Sequence, residues 1–313
     1  MYEAHFGFKQ APFGLTPDTR FFFSQASHQE ALNTLLVALR SGEGFLKITG
    51  EIGLGKTQLC RQLLNGLSGE FVTAYVPNPA VSPRGLLQTV AQELHCIDDV
   101  QATTEQLMQA INARLLENAR AQKRTLLIVD ESQALSDETL EAIRLLTNLE
   151  TETYKLMQVV LFGQPELDQR LRQPNLRQLR QRITFGHRLR PLTRAQFDAY
   201  VRHRLDIAGV QEPLFDAGAL ALLYIASGGT PRLVNILCHR ALLAAFGPGG
   251  RRVGRAEALA AIQDTESTPM PLGVRMWAFT QDNLGLIGAA LALSMIIAYG
   301  LSFGLASLMA RGP

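Results

Sequence analysis

The stretch GEIGLGKT, Gly50 to Thr57, holds the residues whose types and spacing most plainly suit a chemical task. Gly50 and Gly55 bracket Glu51, Ile52, Gly53 and Leu54, and Lys56, Thr57 and Gln58 follow. Glycines at this spacing let the backbone curl until successive N–H groups point inward, which cradles phosphates. Lys56 would then reach the β- and γ-phosphates, and the Thr57 hydroxyl would ligate Mg²⁺. The implied ligand is ATP with its metal.

A second group follows the apolar run LLIV. Asp130 and Glu131 stand where that run ends, and the carboxyl ends of strands are where open α/β sheets bind ligands. Asp130 is placed to hold Mg²⁺ and Glu131 to orient and polarise an attacking water, so hydrolysis is favoured over binding alone. Gln164 follows another apolar run and would emerge beside the loop, within reach of the γ-phosphate or the water. The segment 168–190 is rich in arginine. Arg180 or Arg182 could act as a finger for a neighbouring subunit, offsetting transition-state charge, or could belong to a solvated basic face. In GGTPRLV, Thr230 suits a helix cap and Pro231 the first helical position. Arg232 then falls in a first turn, where a cation opposes the helix dipole, unless it faces a phosphate.

These groups need a frame. Five apolar, often β-branched runs at 45–50, 70–76, 125–131, 156–163 and 183–190 alternate with amphipathic stretches such as TQLCRQLLNGL. That alternation predicts an α/β fold, a parallel five-stranded sheet covered on both faces. After Pro191 the strand signals stop and consecutive helices follow, with one more near 254–265, which predicts a helical lid. The expected organisation is a lead-in with a first helix over 1–40, a nucleotide-binding domain over 41–190 and a lid over 191–265. A proline-bearing linker over 266–283 and a membrane helix over 284–310 complete it.

Composition narrows the class. The chain has 313 residues, with 30 Lys and Arg against 28 Asp and Glu, so bulk charge favours no polyanionic partner. Cys60, Cys96 and Cys238 show neither zinc spacing nor a disulfide pattern and read as core residues. MYEAHFGFKQ has neither the basic region nor the apolar run of a signal peptide, so the expectation is a cytoplasmic start. No charged residue lies between Asp282 and Arg311, a run longer than the ~20 residues that span a hydrocarbon core. Trp277 and Phe279 precede it, where aromatic residues meet an interface. Gly300 and Gly304 within it have the spacing of close helix pairs in lipid. The expectation is a single-pass anchor with the nucleotide-binding domain in the cytoplasm.

With these residues in view, the chain resembles AAA+ ATPases of the ExeA/GspA type, and within them those of mannose-sensitive haemagglutinin pilus systems. The resemblance runs from residue 1 to about 265. It is carried by YEAHFGFKQAPFGLTPDTRFFFSQASHQEAL, GEIGLGKTQLCRQLL, LLIVDESQAL, LLTNLETETYKLMQVVLFGQPEL, LRQLRQRI and GGTPRLVNILCHRAL. It implies an oligomeric, P-loop ATPase that supports assembly of a type IV pilus or type II secretion complex at the bacterial inner membrane. It also implies that Gln164 is the sensor 1 residue, that Arg232 is the sensor 2 residue, and that Arg180 or Arg182 is the finger. The lead-in residues Phe6, Phe8, Pro12 and Phe13 are expected to pack beside the adenine. ExeA-type members carry a peptidoglycan-binding domain beyond their membrane helix. Here only Arg311, Gly312 and Pro313 follow, so direct peptidoglycan binding is not expected. Two alternatives remain, a nucleic-acid-handling ATPase related to transposition helpers and a non-hydrolysing nucleotide switch.

Overall fold

The computed structural model describes residues 2–265, except 17, 18, 22, 24, 25, 68, 78–81, 98, 100 and 150–154. The expected linker and membrane helix, 266–310, lie outside the described residues. Among the described residues no helix is long and apolar enough to cross a membrane.

Strands form at all five apolar runs: β1 (Phe45–Thr49), β2 (Phe71–Val76), β3 (Arg124–Val129), β4 (Met157–Gly163) and β5 (Phe185–Arg188). They pair in parallel in the order β2-β3-β4-β1-β5. The runs read as continuously apolar because both faces are covered. Successive side chains in a strand point to opposite faces. Accordingly Leu46, Ile48, Leu126, Ile128, Val160 and Phe162 pack against helices Ala26–Arg40 and Lys56–Gly66, through Leu35, Leu39, Leu59 and Leu63. Leu127, Val129, Val159 and Leu161 turn the other way, onto helices Pro83–Glu93, Thr104–Arg120 and Asp137–Leu146.

Strand order is what assembles the site. β3, β4 and β1 are neighbours, so the residues that follow them emerge side by side at one edge. The Gly50 N–H donates to the Gly163 carbonyl (3.1 Å), and the Asp130 N–H donates to that of Val76 (2.9 Å). These bonds carry the sheet's register one residue into the loops.

Four helices follow the sheet: Arg194–Ile207, Ala217–Ser227, Pro231–Phe246 and Arg255–Gln263. Thr193 opens the first with a capping box and Asp216 caps the second. Gly228, in the left-handed region at φ +54°, ends that second helix. Thr230 occupies the cap position of the third, but its hydroxyl makes no capping bond. Pro231 does take the first turn of that helix.

The lead-in departs from expectation. Phe6, Phe8 and Phe13 are buried with Tyr2 in the core of the helical domain, among Phe197, Leu223, Val234 and Cys238. None of these aromatics lines the nucleotide cleft described below. Aromatic side chains bury large apolar areas, and the helical domain supplies the apolar partners here. Polar bonds fix the segment further: the Lys9 N–H donates to the Ala208 carbonyl (2.8 Å), and the Tyr2 hydroxyl pairs with His239 Nδ1 (2.7 Å). Burial pushes the Tyr2 phenol up to about 12. Cys60 and Cys238 are buried and Cys96 is half-buried, all as free thiols.

Candidate active site

The phosphate loop joins β1 to helix Lys56–Gly66. Gly53 (φ +83°) and Gly55 (φ +90°) adopt the left-handed backbone that favours glycine. At Gly53 a Cβ would also lie 2.8 Å from the Cβ of Arg232 and 3.1 Å from Cγ2 of Thr230. That position therefore needs glycine for space as well as for φ. Inside the curl, Lys56 Nζ donates to the carbonyls of Gly50 (2.8 Å) and Glu51 (3.2 Å). Burial pulls the Lys56 ammonium below its usual range, opposed by the carboxylates of Glu131, Asp130, Glu51 and Glu166. Leu54 is buried under the loop, and its carbonyl accepts from His28 Nε2 at 2.7 Å. Ile52 is exposed beside the cleft, while the side chain of Glu51 points outward, 3.6 Å from Arg188.

Thr57 and Asp130 meet as their sequence context suggests. The Thr57 hydroxyl donates to Asp130 Oδ2 at 2.8 Å, and Asp130 Oδ1 accepts from the Glu131 N–H at 2.9 Å. Burial raises the Asp130 carboxyl, and these two hydrogen bonds oppose the rise. A hydroxyl and a carboxylate in contact suit a small hard cation that draws its other oxygen ligands from phosphate and water. Among the described residues no cluster of three or more His, Cys, Asp or Glu could hold a metal unaided. The donor set therefore fits Mg²⁺ arriving with a nucleotide.

Glu131 sits at φ +50°, ψ +36°, an uncommon backbone for a residue with a side chain and one that recurs where function demands it. Its Oε2 accepts from Gln133 Nε2 (2.6 Å) and from Gln164 Nε2 (3.2 Å). Gln133 Oε1 in turn accepts the Gln164 N–H at 3.0 Å. Gln164, which follows β4, thus stands beside Glu131 at the border of the cleft. Gln133 is a member of the site that sequence reasoning missed. Its signal was only a polar residue shortly after the acidic pair. Replacing Gln133 by alanine should lower kcat about tenfold, the effect of losing roughly 1.4 kcal/mol of positioning. ATP affinity should stay within about twofold, since no phosphate contact is removed. Steady-state phosphate release beside equilibrium binding measures both; an unchanged kcat would show that the Glu131 turn suffices alone.

Arg232 reaches the loop from the helical domain. It stands in the first turn of helix Pro231–Phe246, and its backbone N–H donates to the Gly53 carbonyl at 3.2 Å. A cleft of about 410 Å³ opens between these parts. Gly53, Gly55, Lys56, Thr57, Gln58, Glu131, Gln164 and Arg232 border it, with Gly14, Leu15, Thr16, Tyr200, Arg204 and Asn235. The two candidate fingers are not brought into it. Helix Arg177–Arg182 buries Leu179, beside Leu176 of the preceding turn, and leaves Arg180 exposed. Arg182 Nη1 donates to the Thr147 hydroxyl at 3.1 Å, near Phe45 at the start of β1. That is the opposite edge of the sheet from the phosphate loop.

Residues 39–171 match the family model described as an AAA domain. The chain is 46% identical over 253 residues to General secretion pathway protein A of Aeromonas hydrophila, a match that covers 81% of the chain and 46% of that protein. The chain belongs to the AAA+ proteins of the ExeA/GspA type. It spans about half the length of that relative. Among solved structures, this AAA+ protein is similar to the ORC2 protein of Aeropyrum pernix, in its ADPNP–ADP complexes. That match has a TM-score of 0.60 at 17% identity and covers 80% of this chain and 72% of the other. The Cdc6p of Pyrobaculum aerophilum gives a TM-score of 0.61 at 17% identity, over 83% and 70% of the two chains. At such identities the likeness concerns the fold. The phosphate loop of this AAA+ protein has the strand before it and the helix after it that a phosphate-cradling glycine loop requires.

Proposed function

We propose that the chain hydrolyses ATP to ADP and phosphate in an oligomer, and that the reaction supports assembly of a type II secretion or type IV pilus complex. One observation carries the hydrolytic part. Glu131, held in a left-handed turn, borders the cleft next to the Thr57–Asp130 pair and receives side-chain bonds from Gln133 and Gln164. The loop N–H groups and Lys56 bind and orient the phosphates. Bound Mg²⁺, held by Thr57 and Asp130, would neutralise charge developing on the β- and γ-oxygens. Glu131 accepts a proton from the attacking water, and Gln164 fixes the line of attack. Arg232 screens charge from the helical side. Arg180 or Arg182, being remote from the cleft of their own subunit, serve a neighbour. The secretion context rests on the likeness to General secretion pathway protein A, and the pilus context on the resemblance in sequence. The uncharged run at 284–310 supports anchorage in a bacterial inner membrane.

Phosphate release by the full chain, followed across protein concentration and with or without DNA, tests this reading. Turnover per subunit should rise with concentration, should lose that rise when Arg180 and Arg182 are replaced by alanine, and should ignore DNA. Strong stimulation by DNA would instead favour a nucleic-acid-handling ATPase, and absent turnover a nucleotide switch.

A further inference from the structure

Arg204 is a buried cation facing neutral partners. It is 5% exposed, and among the described residues no carboxylate lies within ion-pair distance of it. Its Nε donates to the Pro12 carbonyl (2.5 Å), Nη1 to the Tyr200 hydroxyl (2.8 Å) and Nη2 to the Gly14 carbonyl (3.4 Å). The guanidinium also lies 4.6 Å from the centre of the Phe21 ring. Neutral acceptors recover only part of the cost of burying a charge, and an apolar side chain of similar size often does as well for stability. Stability is therefore a poor reason for an arginine here, and the location offers a better one.

Two of the groups that Arg204 holds, Gly14 and Tyr200, border the nucleotide cleft, as does Arg204 itself. Leu15 and Thr16 of the lead-in also border the cleft, as does Asn235 of the helical domain. The Tyr200 hydroxyl passes the connection on, donating to Asn235 Oδ1 at 2.9 Å. Asn235 lies one turn along the same helix from Arg232, ~4.5 Å farther along its axis. If Arg232 and the loop take the phosphates, the Asn235 end is left for the sugar and base.

We infer that Arg204 is a positioning residue for the base-and-ribose half of the nucleotide, clasping the Pro12–Gly14 backbone to the helical domain so that Gly14, Leu15 and Thr16 stand opposite Tyr200 and Asn235. The inference rests on the reading of the cleft as an ATP site. It explains why a forked donor is used. Three acceptors on two chain segments must be met at once, which one planar guanidinium does and an ammonium does not.

Binding of ATP, ADP and inorganic tripolyphosphate to the full chain, measured by calorimetry, separates the two halves of the cleft. Arg204→Gln should weaken ATP and ADP by about tenfold or more while tripolyphosphate changes by less than about twofold. Arg204→Lys, which keeps the charge and loses the fork, should lose a similar amount. Tyr200→Phe keeps the ring and removes one bond to each neighbour, so a loss of about threefold is expected, and this variant decides the matter if the arginine variants do not fold. Equal weakening of ATP and tripolyphosphate, or unchanged ATP affinity in folded variants, would overturn the inference alone. Failure of the unmodified chain to bind ATP would overturn the nucleotide reading and the inference with it.

Discussion

Replacing Lys56 with alanine should abolish ATP binding at micromolar concentrations, weakening it by about a hundredfold or more. The ammonium is buried in the loop, where its two present acceptors are the carbonyls of Gly50 and Glu51. Phosphate oxygens entering the curl offer that ammonium charged acceptors in place of neutral ones, and charge-assisted bonds are about twice as strong. Losing two such bonds at ~1.5 kcal/mol each is worth about a hundredfold in affinity. The fold should survive, because the change also removes a buried charge whose desolvation is unfavourable. Calorimetric titration with ATP, beside a thermal melt, checks both halves. Tight binding by the folded variant would show that phosphate is held elsewhere.

The second large effect is on rate. Glu131→Gln should cut turnover by about 10²–10⁴ and leave ATP affinity nearly intact. The amide has the shape of the carboxylate and can still present an oxygen to Gln133 and Gln164, so the geometry of the turn is kept. It cannot take a proton from water. The variant should therefore accumulate bound ATP, which single-turnover phosphate release and filter binding would detect together. Turnover within about threefold of the unmodified chain would assign the base to another residue, and a parallel loss of affinity would place Glu131 among the binding groups instead.

Much of this was legible in the sequence, for reasons that differ from residue to residue. β3 and β4 are covered on both faces, so Leu126 to Val129 and Val159 to Phe162 are all apolar, and their positions follow from composition alone. The loop is legible because a backbone that curls round phosphates needs glycine at Gly50 and Gly55, with Lys56 and Thr57 directly after them. Gln133 was not, because its amide reaches Glu131 and Gln164 only after Glu131 folds the chain back through a positive φ. The lead-in aromatics misled for a related reason. Phe6, Phe8 and Phe13 announce burial, but nothing local says which core will take them, and their partners are some two hundred residues away. Arg204 carried no signal either, since a basic residue on an amphipathic helix usually faces water. Thr230 met its positional rule without the bond the rule describes.

The packing of the lead-in on the helical domain has a mechanical consequence. The helical domain follows the sheet after β5, and it also holds the lead-in, through Tyr2, Phe6, Phe8 and Phe13. Phe6, Phe8 and Phe13 are part of the core of the helical domain, so any closing motion of that domain over a nucleotide would carry the lead-in with it as one body. The same domain touches the phosphate loop where the Arg232 N–H meets the Gly53 carbonyl. Beneath that loop, His28 supports Leu54 from helix Ala26–Arg40, so a shift of the loop would be felt on both sides of it.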